Sequence, residues 1–406
     1  MEELPVGRRV AYWRGRRKMS QQLFADRIGK SKSWVDKVER GERRLDSLST
    51  LHHLATVLQV SVEALLDRTA HTARVKPAGS IDLEAVRMAL ARFAPAAAGT
   101  GGSGTGPPLD EVSRSVGHAW LTFQHARYDT LVSVLPKLLR DARAAETGHV
   151  GNSALRAAHL LGEVYQVISS VTRKLGAVDL ARLAAERSIA LAQRADDPLL
   201  AGTGTTRFAN ALLAAGDSRA AFEANVVMAH RLAPNGATWS DPDRVSVYGS
   251  LLLQGAMAAA HMGDDASVGE LLREAKVAAD RLGTDDNRYR TSFGPTNVEL
   301  HRAAAAVELG EGRRAVDIHS RLSRRAFDRL LPERRAQHLL DVARGHLMVG
   351  DLTSAGEALL EADRHAPAEI RGRPVAHDVM TEILRQTRGV PPALVTELAD
   401  RMGALV

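Results

Sequence analysis

Six glycines, Gly176, Gly216, Gly263, Gly310, Gly350 and Gly389, stand 40, 47, 47, 40 and 39 residues apart. Each follows a helix-length stretch and precedes a second amphipathic one. Glycine enters the left-handed backbone region that ends a helix at little steric cost. Ala-Gly-Asp at 215–217, Met-Gly-Asp at 262–264 and Val-Gly-Asp at 349–351 are the clearest copies, and most copies carry a small residue soon after, Ala181, Ala220, Ala315, Ala355 and Ala393. An earlier unit without the glycine turns at Arg127-Tyr-Asp129, between helices over 112–126 and 130–145. Pro234 and Pro367 end second helices. A lone helix pair cannot bury its apolar face, so a chain with this period must stack its pairs into an array. About seven units are expected, the last acting as a cap.

Composition agrees with an all-α chain. Only 4% of residues are aromatic, whereas sheets favour aromatic and β-branched residues. The 406 residues contain no cysteine, which excludes disulfide scaffolds, cysteine-based metal centres and thiol nucleophiles and fits a reducing, intracellular setting. No apolar run reaches the ~18–20 residues of a membrane helix, and the start does not read as a signal peptide.

The net charge of +6 is unevenly placed. Residues 1–76 hold 16 Lys+Arg against 9 Asp+Glu, a net of +7, and the other 330 residues sum to −1. Such asymmetry points to a polyanion-binding end on a near-neutral body; the alternative is a solvated basic surface.

The basic end reads as five short helices. The first spans Pro5 to Arg17, with Pro5 at a first-turn position. Ser20 caps a second, from Gln21 to Ile28, and Gly29 breaks it. Ser31 caps a third, Lys32 to Arg40, which Gly41 ends. Ser47 caps a fourth with Leu48, Leu51, Leu54, Ala55 and Leu58 on one face, and Ser61 a fifth holding Val62, Leu65 and Leu66. Phe24, Ala25, Ile28, Val35 and Val38 would close a small core.

Two short helices joined across a glycine, the second basic, form a helix-turn-helix. The run from Ser20 through Arg44, with Val-Glu-Arg-Gly-Glu ending its third helix, resembles the Xre, lambda-repressor-like DNA-binding domains over residues 5–67. The resemblance implies that the third helix enters the major groove. It places Lys32, Ser33 and Lys37 at base-reading positions, where Lys donates to guanine acceptors. Trp34 either touches a thymine methyl or sugar or packs in the core. Ser20, Gln21, Ser31, Arg40, Arg43 and Arg44 are the candidates for phosphate contact, assisted by helix N-terminal amides at Gln21 and Lys32. Arg14 and Glu39 match a structural ion pair of the family.

Residues 71–109 read as a linker that includes a short helix, 81–93, with Ser80 as cap and Leu83, Val86, Leu90 and Phe93 on one stripe. That stripe must dock on something, a partner subunit among the options. Pro95 to Pro108 is Gly/Ser-rich. Its Gly99-Thr-Gly-Gly-Ser-Gly104 matches a dinucleotide-binding pattern, but no strand precedes it and prolines follow where the helix should begin.

The Gly-Asp turns with a downstream Ala resemble tetratricopeptide repeats, although their usual period is ~34 residues. The departure leaves a HEAT-like or irregular array open. The expected domains are 1–70 for DNA binding, 71–109 as linker and 110–406 as a superhelix. In tetratricopeptide domains, polar residues on the first helix of each pair hold a peptide in the concave groove. The corresponding candidates are Arg207, Asn210, Gln254, His301, Asp341 and Arg344. Ordinary solvated polar residues are the alternative for each, and Ser170, Met257 and Ala304 dilute the pattern.

No hydrolase, metal or nucleotide-binding motif is present, and the chain is read as a non-enzyme without cofactor. Asp196-Asp197, Asp264-Asp265 and Asp285-Asp286 fall at turns, which favour Asp. The combined architecture resembles regulators of Gram-positive bacteria, including the Xre–tetratricopeptide regulators of actinobacteria. Arg outnumbers Lys 46 to 8, as a GC-rich coding source would produce. The resemblance implies a cytoplasmic homodimeric transcription regulator on two half-sites of double-stranded DNA, with a peptide, small-molecule or protein signal in the groove and a role in development or secondary metabolism. The alternative is a protein-interaction scaffold or antitoxin-like partner.

Overall fold

A computed structural model describes residues 6–17, 19–43, 45, 48–58, 60, 65, 81–92, 106–387 and 391–404. The chain divides into two compact units, Met1–Ala78 and Gly79–Val406, and all regular structure among the described residues is helical. None of these helices is long and apolar enough to cross a membrane.

In the first unit, the head, α1 (Val6–Arg16), α2 (Gln21–Arg27), α3 (Lys32–Glu39) and α4 (Leu48–Leu58) surround one core. Phe24, Ala25, Ile28 and Val35 are buried in it, with Val10, Leu54, Ala55, Leu58 and Leu65, and Val38 is buried as well. The caps follow chemistry: Ser20 accepts from the Leu23 amide and Ser31 from the Trp34 amide, both at 3.1 Å. Gly29 and Gly41 end α2 and α3 at positive φ. Gly7 serves a different need, because a Cβ there would lie 1.8 Å from the Val38 carbonyl oxygen. The close approach of α1 to α3 depends on that missing side chain. Ser47, Ser61, Val62 and Leu66, assigned to the caps and fifth helix, and the side chains of Leu48 and Leu51 lie outside the described residues.

The second unit, the body, begins with α5 (Glu84–Ala91). Its buried Val86, Ala89 and Leu90 join the main core of the body. Arg143 and Arg187 donate to the Ala89 and Leu90 carbonyls at 2.8 and 2.6 Å, closing a helix end whose carbonyls lack intrahelical partners. The linker helix therefore belongs to the body and docks within the same chain. Ser80, Phe93 and the glycine-rich stretch 95–105 lie outside the described residues.

Seven helical hairpins follow among the described residues: α6 (Leu109–Gln124) with α7 (Tyr128–Gly148), α8 (Asn152–Lys174) with α9 (Val178–Arg194), α10 (Pro198–Ala214) with α11 (Ser218–Leu232), and α12 (Pro242–Met262) with α13 (Asp265–Leu282). Next come α14 (Pro295–Glu308) with α15 (Gly312–Arg321), α17 (Pro332–Val349) with α18 (Leu352–His365), and α20 (Pro374–Gln386) with α21 (Ala393–Met402); α16 (Arg324–Asp328) and α19 (Pro367–Arg371) are single turns between hairpins.

One turn recurs through the array. Gly216 sits at φ 89°, its amide bonded to the Leu213 carbonyl and the Asp217 amide to Leu212, a Schellman closure. The Asp217 carboxylate then accepts from the Ala220 amide and caps the next helix. Asp264 and Asp351 cap in the same way. Each Gly-Asp pair thus ends one helix and starts the next. Ala126 takes the left-handed position in the first hairpin, at φ 54°, and Asp196 does so between α9 and α10, at φ 50°. Gly389 lies outside the described residues. The packing position is five residues past the turn: Leu131, Ala181, Ala221, Val268, Ala315 and Ala355 are all buried. Ala220 is only half-buried and Ala393 is exposed, because they stand one residue out of that register or in the atypical last hairpin.

The array does not remain an open row. Residues of α5–α9 share one core with residues of α14 and α16–α21, so the two ends of the array meet. A buried ion cluster joins them: Lys174 lies 2.6 Å from Glu333 and 2.7 Å from Glu369, with Arg373 3.1 Å from Glu369 and the Tyr128 hydroxyl donating to Glu369.

Candidate nucleic-acid interface and interior polar cavity

Helix α3 is held from behind. Arg14 grips Glu39 through Nε and Nη2 at 2.5 and 3.0 Å and donates from Nη1 to the Met19 carbonyl. The hydrogen bond to Glu39 raises the Arg14 pKa further. Arg17 donates to the Leu58 carbonyl, tying α1 to the end of α4. These contacts fix α3 through its inner face and leave its outer face to solvent.

On that face Lys32, Ser33 and Lys37 are exposed, as are Ser20, Ser31, Arg40 and Arg43. Not all are equally available. Gln21 is half-buried and donates to Glu39 at 2.9 Å, so its amide braces the Arg14–Glu39 pair. Arg40 is paired with Asp36 at 2.5 Å and Glu42 at 3.2 Å. Both serine hydroxyls already cap their helices, which still leaves lone pairs and rotor freedom at the surface. Trp34 settles between its two readings: it is half-buried against the core, with Lys30 and Arg43 6.0 and 5.8 Å from its ring centre. Lys30, exposed and missed by motif reasoning, thereby joins the cationic rim. Arg44 lies outside the described residues.

Within the body, Arg207, Gln254 and His301 converge. They come from the first helices of three successive hairpins and line one small cavity with Thr203, Thr206, Ser250, Asn297 and Arg334. Each of the three stands nine residues before its turn glycine. Thr203, Ser250 and Asn297 are one helical turn earlier on the same stripe, so the i, i+4 pairing could have found them.

The other three candidates do not line that cavity. Asn210 is half-buried on another stripe. Arg344 binds Glu308 at 2.6 Å and Asp341 at 3.5 Å, and Gln337 donates to Asp341. These groups lock α17 against α14.

His301 is buried and neutral. Its Nδ1 lies 2.9 Å from the Asn297 carbonyl and its Nε2 3.1 Å from Gln254 Nε2. A carbonyl only accepts, so Nδ1 carries the proton and Nε2 accepts from Gln254. Burial, then Arg334, pulls the His301 pKa down to about 4. Arg207 lies over the Trp120 ring at 5.4 Å and donates to the Arg290 carbonyl at 3.2 Å.

That carbonyl belongs to the loop between α13 and α14, where Tyr289, Arg290 and Ser292 all hold positive φ. Such backbone is strained and persists only where surroundings impose it. Arg290 faces Glu163 at 3.5 Å, Asn287 bonds Gln124, and Phe293 fills the space that Gly249 leaves. These contacts hold the loop against α6, α8, α10 and α12.

No group of acids and histidines suited to a metal occurs among the described residues. The paired aspartates act as caps: Asp197 on Leu200, Asp264 on Ser267 and Asp285 on Thr296.

Residues 5–68 match the family described as a helix-turn-helix domain. No curated protein and no solved structure matches the chain. The matched segment holds α1–α4, and it supports a DNA-binding regulator.

Proposed function

We propose that the chain is a sequence-specific DNA-binding transcription regulator in which the head reads DNA and the hairpin array senses a signal and mediates dimerisation. One observation carries the reading: within the matched helix-turn-helix segment, α3 is clamped from behind and presents Lys32, Ser33 and Lys37 outward. Lys32 and Lys37 read base edges, while Lys30 and Arg43, gathered at Trp34, meet phosphates. The array is of the tetratricopeptide-like kind, in a cytoplasmic homodimer on two half-sites, and the architecture is of the actinobacterial type. No catalysis is assigned to it. A signal acts by binding two states of the body with different affinity.

The test is selection of bound duplexes from a random library, followed by genomic footprinting of the tagged protein. A shared motif lost on Lys32→Ala or Lys37→Ala supports the reading. Absence of any enriched motif contradicts it.

A further inference from the structure

The loop between α13 and α14 is built in two parts. Its root is fixed: Thr291 and Phe293 are buried, and Asp285 accepts from the Thr296 amide and hydroxyl. Its tip, Asn287–Arg290, is half-exposed and rests on polar contacts. Arg288 pairs with Asp243 of α12 at 2.9 Å, Arg290 faces Glu163 of α8 at 3.5 Å, and the Tyr289 ring stands edge-on to His159 of α8. The face beneath the tip is acidic. Burial, then Asp197, Asp243, Asp241 and Glu163, pushes the Tyr289 pKa up to about 12, because nearby carboxylates oppose a further negative charge. These acids belong to α8 and to the starts of α10 and α12. Facing them are Arg288 and Arg290 of the tip and His159, which is bonded to Asp197 at 2.7 Å. The tip is thus an Arg-Tyr-Arg ligand on an acidic surface, and its backbone is left-handed at Tyr289 and Arg290, as it is at Ser292 beyond. Such backbone is costly for residues with side chains, so this occupant binds less tightly than the same residues in a relaxed conformation.

We infer that this acidic face is a binding site for a basic, tyrosine-bearing peptide, and that the loop tip is its internal occupant, which such a peptide displaces. The contacts fit a polypeptide better than a simple cation. Glu163 and Asp243 take guanidinium groups, His159 packs on a phenol ring, Gln124 bonds the Asn287 amide, and Arg207 donates to a main-chain carbonyl. A simple cation would use the carboxylates alone. Tethering gives the tip an effective concentration of roughly millimolar, and an incoming peptide offsets that advantage by presenting the same groups without the strain. The tip touches α6, α8, α10 and α12, so its departure removes contacts shared by four hairpins. The inference deepens the sensor reading, on which its regulatory meaning rests.

The experiment measures binding of the blocked peptide Asn-Arg-Tyr-Arg-Thr, which copies residues 287–291, to the full chain by fluorescence polarisation, with hydrogen exchange of the loop amides in parallel. Arg288→Ser combined with Arg290→Ser weakens the internal occupant. That variant should bind the probe about tenfold more tightly than the unaltered chain, the worth of two half-exposed ion pairs. Adding Glu163→Gln and Asp243→Asn should abolish the gain, and a probe with citrulline in place of both arginines should not bind. In the unaltered chain, saturating probe should speed exchange at the Arg290 and Thr291 amides, which are bonded to the Asn287 and Arg288 carbonyls. This readout needs no variant and carries the test if the double variant does not fold. Absence of binding, equal binding by the unaltered chain and the double variant, a gain that survives Glu163→Gln with Asp243→Asn, or exchange unchanged at saturation overturns the inference. Displacement of the tip that leaves DNA affinity unchanged upholds the site and contradicts the sensor reading instead.

Discussion

The head and the body turn their arginine and lysine side chains in opposite directions. In the head, the cations of α3 point to solvent, while Arg14, part-buried and paired with Glu39, faces inward as support. In the body, which sums to about −1 along the sequence, Lys174, Arg173, Arg207 and Arg334 turn inward around the buried acids Glu333 and Glu369. Net charge counted along a chain therefore points to a basic surface and misses an interior ion cluster. The field a ligand meets depends on where charges lie and how dry their surroundings are.

The sharpest way to break the comparison is to show that the two regions are not held by different means. Glu369→Ala should destabilise the body by about 3–5 kcal/mol, because it strips the buried Lys174 and Arg373 of a partner. Calorimetry should show the body transition shifting while the head's does not. Gly7→Ala is the complement. It drives a methyl into the Val38 carbonyl and should destabilise the head by about 3 kcal/mol, measured as loss of DNA binding with the body transition intact.

At the interface itself, Lys37→Ala should weaken the preferred duplex by about 1–3 kcal/mol and relax specificity at one base pair, read by competition binding.

Protons sharpen the contrast further. Burial, with neighbouring His319 and His301, holds the His338 pKa down to about 3, beside His301 at about 4. The unfolded chain binds these protons near pH 6.5, so the unfolded state takes up more protons between the two limits. The contribution of His301 and His338 to body stability should be level above pH 6.5 and fall below it, by at most about 1.4 kcal/mol per pH unit for each histidine. His338→Leu should flatten the slope between pH 6.5 and 5.5, where carboxylates stay ionised. The smallest effect belongs to Arg40→Ala. Its guanidinium is engaged by Asp36 and Glu42, so DNA affinity should change by no more than about 0.5 kcal/mol.

Local chemistry was the legible part. Ser20 and Ser31 as caps, Gly29 and Gly41 as helix ends, and the Gly-Asp turns are decided by residues within four or five positions, and each formed as read. The stripe nine residues before each turn was legible too, since helical period places Arg207, Gln254 and His301 on one face. The closure of the array was not. Lys174 meets Glu369 across 195 residues, and no local pattern announces such a pair. Nor was the 284–294 loop, whose left-handed positions fall on Tyr289, Arg290 and Ser292 rather than glycine. Residue type also does not reveal that Glu39 engages Gln21, or that Asp36 and Glu42 engage Arg40.

The central claim is that the head's outward cations bind DNA as a polyanion before they read it. The direct measurement is the affinity of the full chain for a selected duplex across salt concentrations. The logarithm of the association constant should fall linearly with the logarithm of salt, by about 0.9 per phosphate neutralised, and the slope should shrink when Lys30, Lys37 and Arg43 are replaced together by alanine. A flat dependence, or one unchanged in the triple variant, would contradict it.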